Sequence, residues 1–259
     1  MIPKIIHFCW LSNDEYPKKI KKCVASWRKK LPDYEFILWD TNKFDINSTL
    51  WTKQAYETKK YAFAADYIRL HAIYTYGGIY LDTDVEVLKR FDNLLNLPYF
   101  IGSQHDHLME AAVIGAEKKS EWVLDCLKYY NDRSFLKNDG SFDITVLPII
   151  MESKIKISRE IKILNVDEVK YISKFCANEK SFNIFPFEYF SAKNHETRRV
   201  KKTNNTFTIH HFENSWHPLI SKLRRKFTMV LGVSKTEQLI GFFGLRKIVR
   251  SIKKWSLDN

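Results

Sequence analysis

The sequence predicts an α/β fold in which a mixed, mainly parallel sheet is flanked by helices. Short, nearly continuous apolar runs indicate buried strands, and amphipathic stretches between them indicate helices that cover the sheet. The chain has 259 residues, 45% hydrophobic and 15% aromatic, which is enough for the core of one large globular domain. A change in composition near Leu219 separates a domain of residues 1–218 from a basic helical segment of residues 219–259.

The first three elements alternate between strand and helix. Ile5 to Trp10 is an apolar run typical of a buried strand. Pro17 is suited to the first turn of a helix that continues to about Lys30. Tyr34 to Trp39 is a second strand. Because parallel strands need a crossover helix, this strand–helix–strand order indicates a parallel sheet.

A long helix and a short strand come next. Residues 40–52 are expected to be irregular, and the helix begins near Lys53 or Lys60 and ends at Tyr76. Gly77 and Gly78 stop it, since glycine takes the left-handed cap conformation at low cost. The apolar stripe of this helix is expected to contain Ala62, Ala65, Leu70, Ile73 and Tyr74.

The rest of the chain alternates less regularly between predicted strands and helices. Strands are predicted at residues 79–81, 85–87, 99–103, 111–115 and 207–212, and a helix at residues 120–132. Residues 145–152, with Pro148, are the start of a helix or a turn. From Leu219 the pattern becomes helical and basic.

The net charge of +12 is concentrated at the end of the chain. Residues 219–259 contain ten Lys or Arg and two Asp or Glu, a net +8, so the other 218 residues carry +4. Alternating apolar and basic residues indicate an amphipathic segment that lies on an anionic membrane, or else a solvated helix whose apolar face packs on the domain.

The location is predicted from what the sequence lacks. It shows neither the pattern of a signal peptide nor an apolar run long enough to span a membrane. The four cysteines have no metal-ligand spacing and are interpreted as free thiols in a reducing compartment. We therefore expect a cytoplasmic protein, with a possible peripheral contact on the inner face of the membrane.

Two acidic residues follow the strand of residues 79–81. Asp82 and Asp84 are two apart, so at a strand end their side chains lie on the same side and can hold one divalent cation. An isolated Asp-x-Asp is common in surface loops. Here apolar residues precede the pair, and Val85 and Val87 follow it. The pair thus lies at the carboxyl end of a buried strand, where α/β sheets bind ligands.

Asp66 and Arg69 are three residues apart in the long helix and share one face. They are either a structural ion pair or a binding pair. In the second case, Arg69 holds phosphate or sugar hydroxyls and Asp66 accepts hydrogen bonds from hydroxyls.

The segment from Phe63 to Asp84 reads FAADYIRLHAIYTYGGIYLDTD, and residues 2–10 read IPKIIHFCW. Both resemble glycosyltransferase family 32, the DXD-motif sugar-binding family. That family contains bacterial capsule and lipopolysaccharide transferases and yeast mannosyltransferases, and it is related to the glucosyltransferase domains of clostridial toxins. A later segment from His210 to Trp216, HHFENSW, resembles the family's C-terminal element. The resemblance implies a GT-A-type nucleotide-diphospho-sugar transferase fold for residues 1–218.

The resemblance also implies roles for individual residues. Trp10 matches the aromatic position that packs on uracil, and Tyr80 matches a position near the diphosphate. The third metal ligand is His211, with His210 as the alternative. The implied catalytic residues are Asp66, Arg69, Asp82 and Asp84. The implied nucleotide-sugar-binding residues are Phe8, Trp10, Asp66, Arg69, Tyr80, Asp82, Ser215 and Trp216. The implied ligands of Mn²⁺ or Mg²⁺ are Asp82, Asp84 and His211.

The function predicted in this way is that of a retaining, metal-dependent hexosyltransferase. It would move a hexose or N-acetylhexosamine from a nucleotide-sugar donor, with UDP implied by the resemblance, to a glycan or lipid-linked acceptor in surface polysaccharide synthesis. Nucleic acid is not an expected partner. Relatives often carry Asn where Met109-Glu110-Ala111 stands here, and a Gly-Pro turn where Thr145 to Pro148 stands, so the acceptor is left open.

Two other classes compete with this interpretation. Another nucleotide-sugar enzyme, such as a pyrophosphorylase, would need a glycine-rich phosphate loop after the first strand, and residues 11–14 lack one. A non-catalytic membrane or polyanion binder would account for the basic segment. It gives no reason for an acidic pair at a strand end.

Overall fold

The computed structural model describes residues 1–12, 14–176 and 180–213. Its strands are β1 (Ile5–Cys9), β2 (Glu35–Trp39), β3 (Gly78–Leu81), β4 (Val85–Val87), β5 (Tyr99–Ser103), β6 (Met109–Ala116), β7 (Glu160–Ile163), β8 (Ser181–Ile184) and β9 (Thr208–His210). Its helices are α1 (Lys18–Lys30), α2 (Leu50–Glu57), α3 (Tyr61–Tyr76), α4 (Glu121–Leu127), α5 (Leu147–Ile155), α6 (Ile172–Cys176) and α7 (Phe187–Phe190).

A five-stranded sheet with the order β2-β1-β3-β6-β5 forms the centre of the fold. The first strand pairs in parallel with β2 and β3, and β6 pairs antiparallel with both β3 and β5. Four of the five strands therefore run in one direction. The predicted class, a mixed and mainly parallel sheet flanked by helices, is confirmed.

The strands β1, β3, β5 and β6 are buried on both faces, which is why they read as continuous apolar runs, whereas the edge strand β2 is only partly buried. Residues of β1 alternate between two clusters. Ile6 and Phe8 pack with Trp27 of α1, whereas Cys9 packs with Trp39 and the residues beneath α3. The helices α1 and α3 make the crossovers between the three parallel strands.

The long helix begins at Tyr61, which is the later of the two predicted starts. Its predicted stripe is wrong in part: Leu70 and Ile73 are fully buried, whereas Ala62, Ala65 and Tyr74 are half-buried. The helix packs against α2, α4, β1 and β3, so most of its circumference is covered and no narrow stripe exists. Gly77 ends it with φ +68°, the left-handed region that favours glycine.

Two small strand pairs lie outside the main sheet. The antiparallel pair of β4 and β9 aligns Val85 with His210, and β7 pairs in parallel with β8. The first pair matters most for the site, because it brings the chain near residue 210 back to the segment that follows β3.

Several local predictions differ from the structure. The segment of residues 40–52, expected to be irregular, contains a 3-10 helix at Ile46–Ser48 and the start of α2, which Thr49 caps by accepting a hydrogen bond from the Thr52 amide. The proposed helix start or turn at residues 145–152 is the helix α5. The elements β7, β8, α6 and α7 were not predicted.

The basic segment from Leu219 to Asn259 and its boundary lie outside the described residues. Within residues 1–12, 14–176 and 180–213, no helix combines the length and the apolar character that crossing a membrane requires.

Candidate active site

The site lies at the carboxyl end of β3. The Asp82 amide donates to the Ala112 carbonyl at 2.9 Å, and the Val85 amide donates to the Asp82 carbonyl at 3.0 Å. This turn separates β3 from β4, so Asp82 and Asp84 leave the sheet between two buried strands. The acidic pair therefore occupies the position at which the sequence placed it.

Three side chains in this region can hold a metal ion. One ligand atom from each of Asp82, Asp84 and His210 lies within 4.8 Å of the other two. Carboxylate oxygens and an imidazole nitrogen together are a donor set suited to a divalent cation such as Mn²⁺. The donor set and its spacing fit the predicted metal, and these three residues would hold it.

The structure brings His210, not His211, to the carboxylates. Nε2 of His210 lies 3.4 Å from Oδ1 of Asp84. The ring of His211 contacts Glu86 instead, with 2.9 Å between Nε2 and Oε2. The reason is the alternation of side chains along a strand: the residue after His210 projects to the opposite side. Of the two histidines that the sequence analysis left open as the third ligand, His210 is therefore the one whose ring lies beside Asp82 and Asp84.

Arg69 connects the helix α3 to the acidic pair. Its Nη2 lies 3.0 Å from Asp66 and 3.2 Å from Asp82, and its Nη1 donates to the Ala111 carbonyl at 2.7 Å. The guanidinium lies 4.7 Å from the centroid of the Tyr80 ring, and Nε, which is buried, has no hydrogen-bond partner among the described residues. The predicted Asp66–Arg69 pair is therefore an ion pair that also reaches the acidic motif.

The charges in the site are unevenly stabilised. Burial raises the pKa of Asp66 to about 7, although the neighbouring Arg69 opposes the shift. Burial also raises the pKa of Asp82. Burial acts in the same direction on Asp84, but His210 and the amide of Glu213, which donates to Oδ2 at 2.7 Å, lower its pKa to about 2. Asp84 is therefore the firmly ionised carboxylate of the site at neutral pH.

Sequence reasoning missed one charged residue beside the site. Glu110 is fully buried, and its carboxylate lies 3.2 Å from Nδ1 of His210. The available signal was a single acidic residue inside β6, in which every residue is buried. In the sequence, Glu110 differs from the family pattern, and that difference alone does not indicate a contact with a histidine.

The aromatic residues predicted to bind the nucleotide differ in position. Phe8 lies in the core, with its ring centroid 5.4 Å from that of Trp27. Trp10 follows β1 at the same sheet edge as the acidic pair and is half-buried against Tyr16. The Tyr80 hydroxyl donates to Asp82 at 3.1 Å. Ser215 and Trp216 lie outside the described residues.

Comparison with protein families identifies the region that carries this site. Residues 17–101 match the family described as "Glycosyltransferase sugar-binding region containing DXD motif". The match contains Asp66, Arg69, Asp82 and Asp84, and confirms the resemblance noted in the sequence.

Several curated proteins with similar sequences are mannosyltransferases or galactosyltransferases by name. The chain is 33% identical over 131 residues to inositol phosphoceramide mannosyltransferase 3 of Schizosaccharomyces pombe, which covers 49% of this chain and 36% of that protein. It is 36% identical over 86 residues to lactosylceramide 4-alpha-galactosyltransferase of Mus musculus, which covers 32% of this chain and 23% of that protein. The chain thus spans about a third or less of the length of these relatives.

Solved structures show more distant similarity. The PaToxG glycosyltransferase is 20% identical with a TM-score of 0.46, over 60% of this chain and 68% of that chain. The galactosyltransferase LgtC, in complex with donor and acceptor sugar analogs, is 13% identical with a TM-score of 0.40, over 92% and 95%. Within the residues that match the family model, Asp82-Thr83-Asp84 corresponds to the DXD motif named in its description.

Proposed function

We propose that this chain is a metal-dependent hexosyltransferase that moves a sugar from a nucleotide diphosphate donor to a glycan or lipid-linked acceptor. The observation that carries the proposal is the convergence of Asp82, Asp84 and His210 beside the Arg69–Asp66 pair. A cation site next to a buried guanidinium suits a ligand that combines a diphosphate with sugar hydroxyls.

Each residue has a defined task in this proposal. Asp82, Asp84 and His210 hold Mn²⁺ or Mg²⁺, which when bound supplies Lewis-acid stabilisation of the diphosphate. Arg69 supplies positive charge beside the donor phosphates, and its ion pairs with Asp66 and Asp82 keep the guanidinium in place. Asp66 accepts hydrogen bonds from sugar hydroxyls. Trp10, at the same edge of the sheet, stacks on the base.

The stereochemical outcome follows from the family resemblance and is retention at the anomeric carbon. In the proposed step the acceptor hydroxyl attacks from the face that the diphosphate leaves. The bond from the anomeric carbon to the diphosphate oxygen breaks, and the proton of the hydroxyl passes to the departing phosphate. NMR of the product linkage tests this step, and an inverted anomeric centre would contradict it.

We further propose that the nucleotide of the donor is UDP, and that the transfer serves surface polysaccharide synthesis at the inner face of the membrane. Two relatives are named for transfer to ceramide lipids, which supports a lipid-linked acceptor. The basic segment of residues 219–259 supports a location at an anionic membrane.

A substitution in the acidic motif tests the proposal. We expect Asp84→Ala to reduce transfer by about 100-fold or more, because the most firmly ionised ligand of the cation is lost. Asp167→Ala is the matched control, since it removes an exposed carboxylate elsewhere. Both variants should retain the circular dichroism spectrum of the wild type. Near-normal transfer by Asp84→Ala at saturating Mn²⁺ would refute the metal assignment.

The ligand itself can be sought by thermal shift with a panel of nucleotide sugars, with and without Mn²⁺. Binding to the folded state raises the apparent stability, so the correct donor should raise Tm more in the presence of the metal. Retention on heparin, without any response to nucleotide sugars, would instead support the polyanion-binding alternative.

A further inference from the structure

Glu110 is a charged side chain in an apolar setting. It is the second residue of β6, all eight residues of which are buried, and none of its surface is exposed. A carboxylate removed from water costs several kcal/mol unless it is paired or hydrogen-bonded. Here its oxygens accept a hydrogen bond from the Ala112 amide at 3.1 Å and face the ring of His210.

His210 lies between two carboxylates, with one on each ring nitrogen. Nδ1 is 3.2 Å from Glu110, and Nε2 is 3.4 Å from Asp84. The Phe212 ring covers one face of the imidazole, with 3.9 Å between the centroids. These three contacts leave the imidazole one orientation, in which Nε2 is the nitrogen directed at the acidic motif.

We infer that Glu110 is a positioning residue that fixes the tautomer and orientation of His210, so that Nε2 is presented to a divalent cation held with Asp82 and Asp84. With a cation bound, Nδ1 would donate its hydrogen to Glu110, and the lone pair of Nε2 would be directed at the cation in place of the proton that faces Asp84. This inference rests on the proposed metal site and assigns to it a residue outside residues 17–101.

The neighbouring His211 offers a matched pair for comparison. Glu86 contacts that ring at 2.9 Å, much as Glu110 contacts His210. The Glu86 side chain is, however, 40% exposed, and the His211 ring is not part of the cluster formed by Asp82, Asp84 and His210. The same substitution, Glu to Gln, can therefore be made at two adjacent Glu–His pairs, one inside the candidate site and one outside it.

The experiment measures binding of Mn²⁺ alone to the full chain by electron paramagnetic resonance, without nucleotide. We expect Glu110→Leu to weaken Mn²⁺ binding by about 10- to 100-fold, the usual effect of losing the partner of a metal-bound histidine. Glu110→Gln keeps an acceptor oxygen and should cause a smaller loss. Glu86→Gln should bind Mn²⁺ within about twofold of the wild type, since its histidine is not a ligand.

A double-mutant cycle separates positioning from a general structural role. If Glu110 acts through His210, then Glu110→Gln should cause no further loss of Mn²⁺ affinity in a His210→Ala background. Losses that add in the double variant would overturn the inference. If Glu110→Leu does not fold, Glu110→Gln still completes the cycle.

The outcomes distinguish this inference from the proposed function. Should the wild type fail to bind Mn²⁺, the metal site of the proposed function is refuted together with the role of Glu110. Should the wild type and all Glu110 variants bind Mn²⁺ equally, the metal site stands and the role of Glu110 is refuted. Weakened binding by Glu86→Gln, with unchanged binding by Glu110→Gln, would return the ligand role to His211.

Discussion

His7 is a buried histidine whose protonation should destabilise the fold. Its Nε2 donates to the Gly77 carbonyl at 2.8 Å, and its Nδ1 accepts from the Trp39 indole at 3.1 Å. Both nitrogens are thus satisfied by the neutral ring, and a second proton on Nδ1 would face the N–H of Trp39. Burial accordingly lowers the pKa of His7 to about 4, even though the Gly77 carbonyl acts in the opposite direction.

The loss of stability on protonation of His7 follows from the difference between its pKa in the unfolded chain and its pKa in the folded protein. The usual pKa of 6.5 applies to the unfolded chain, and the folded pKa is about 4. A difference of this size corresponds to about 3 kcal/mol of unfolding free energy. The unfolded chain binds the proton first as the pH falls. The contribution of His7 is therefore fully present above pH 6.5 and is lost as the pH falls from there towards 4.

Urea unfolding between pH 7.5 and pH 4 measures this loss, with His7→Gln as the reference variant. Gln keeps a donor for the Gly77 carbonyl but does not titrate. The variant should be less stable than the wild type at pH 7.5, and the difference should shrink by about 3 kcal/mol by pH 4. NMR titration of the ring in the folded protein should give a pKa near 4. Parallel stability curves, or a ring that titrates near 6.5, would refute the reasoning.

Two further predictions concern packing and the basic segment. A Cβ at Gly115 would collide with the ring of Phe100 on the paired strand, so Gly115→Ala should cost about 1–3 kcal/mol in urea unfolding. Adding Phe100→Leu should recover part of that loss, and a purely additive double variant would contradict the steric cause. Replacing Arg224, Arg225 and Lys226 with Gln should weaken flotation with anionic liposomes by about 100-fold, at about 1 kcal/mol for each charge. Unchanged flotation, or equal binding to neutral liposomes, would exclude these charges from membrane contact.

Local sequence was sufficient to predict the acidic motif because its position depends on one strand. The run before Asp82 is apolar, and strands of an α/β sheet end where ligands bind. The Asp66–Arg69 pair was equally accessible, since residues three apart in a helix share a face. These parts of the site come from one continuous segment.

The side chains that distant segments place beside the acidic motif could not be predicted from local sequence. Whether His210 or His211 faces the motif depends on the register of β9 against β4, and a shift of one residue would exchange them. The contact between Glu110 and His210 joins residues 100 apart in the chain. The helix α2 was missed for another reason: its capping residue Thr49 was present, but no long apolar periodicity followed.

The pairing of β4 with β9 has a thermodynamic consequence for ligand release. The strands β4 and β9 have three residues each and form a separate two-stranded sheet. Because β9 does not belong to the five-stranded main sheet, it can detach while that sheet stays intact. A ligand that contacts both the acidic motif and His210 binds only while β9 is attached. By linkage, such a ligand must lower the population of the form in which β9 is detached, and it must therefore slow amide exchange of residues 208–210.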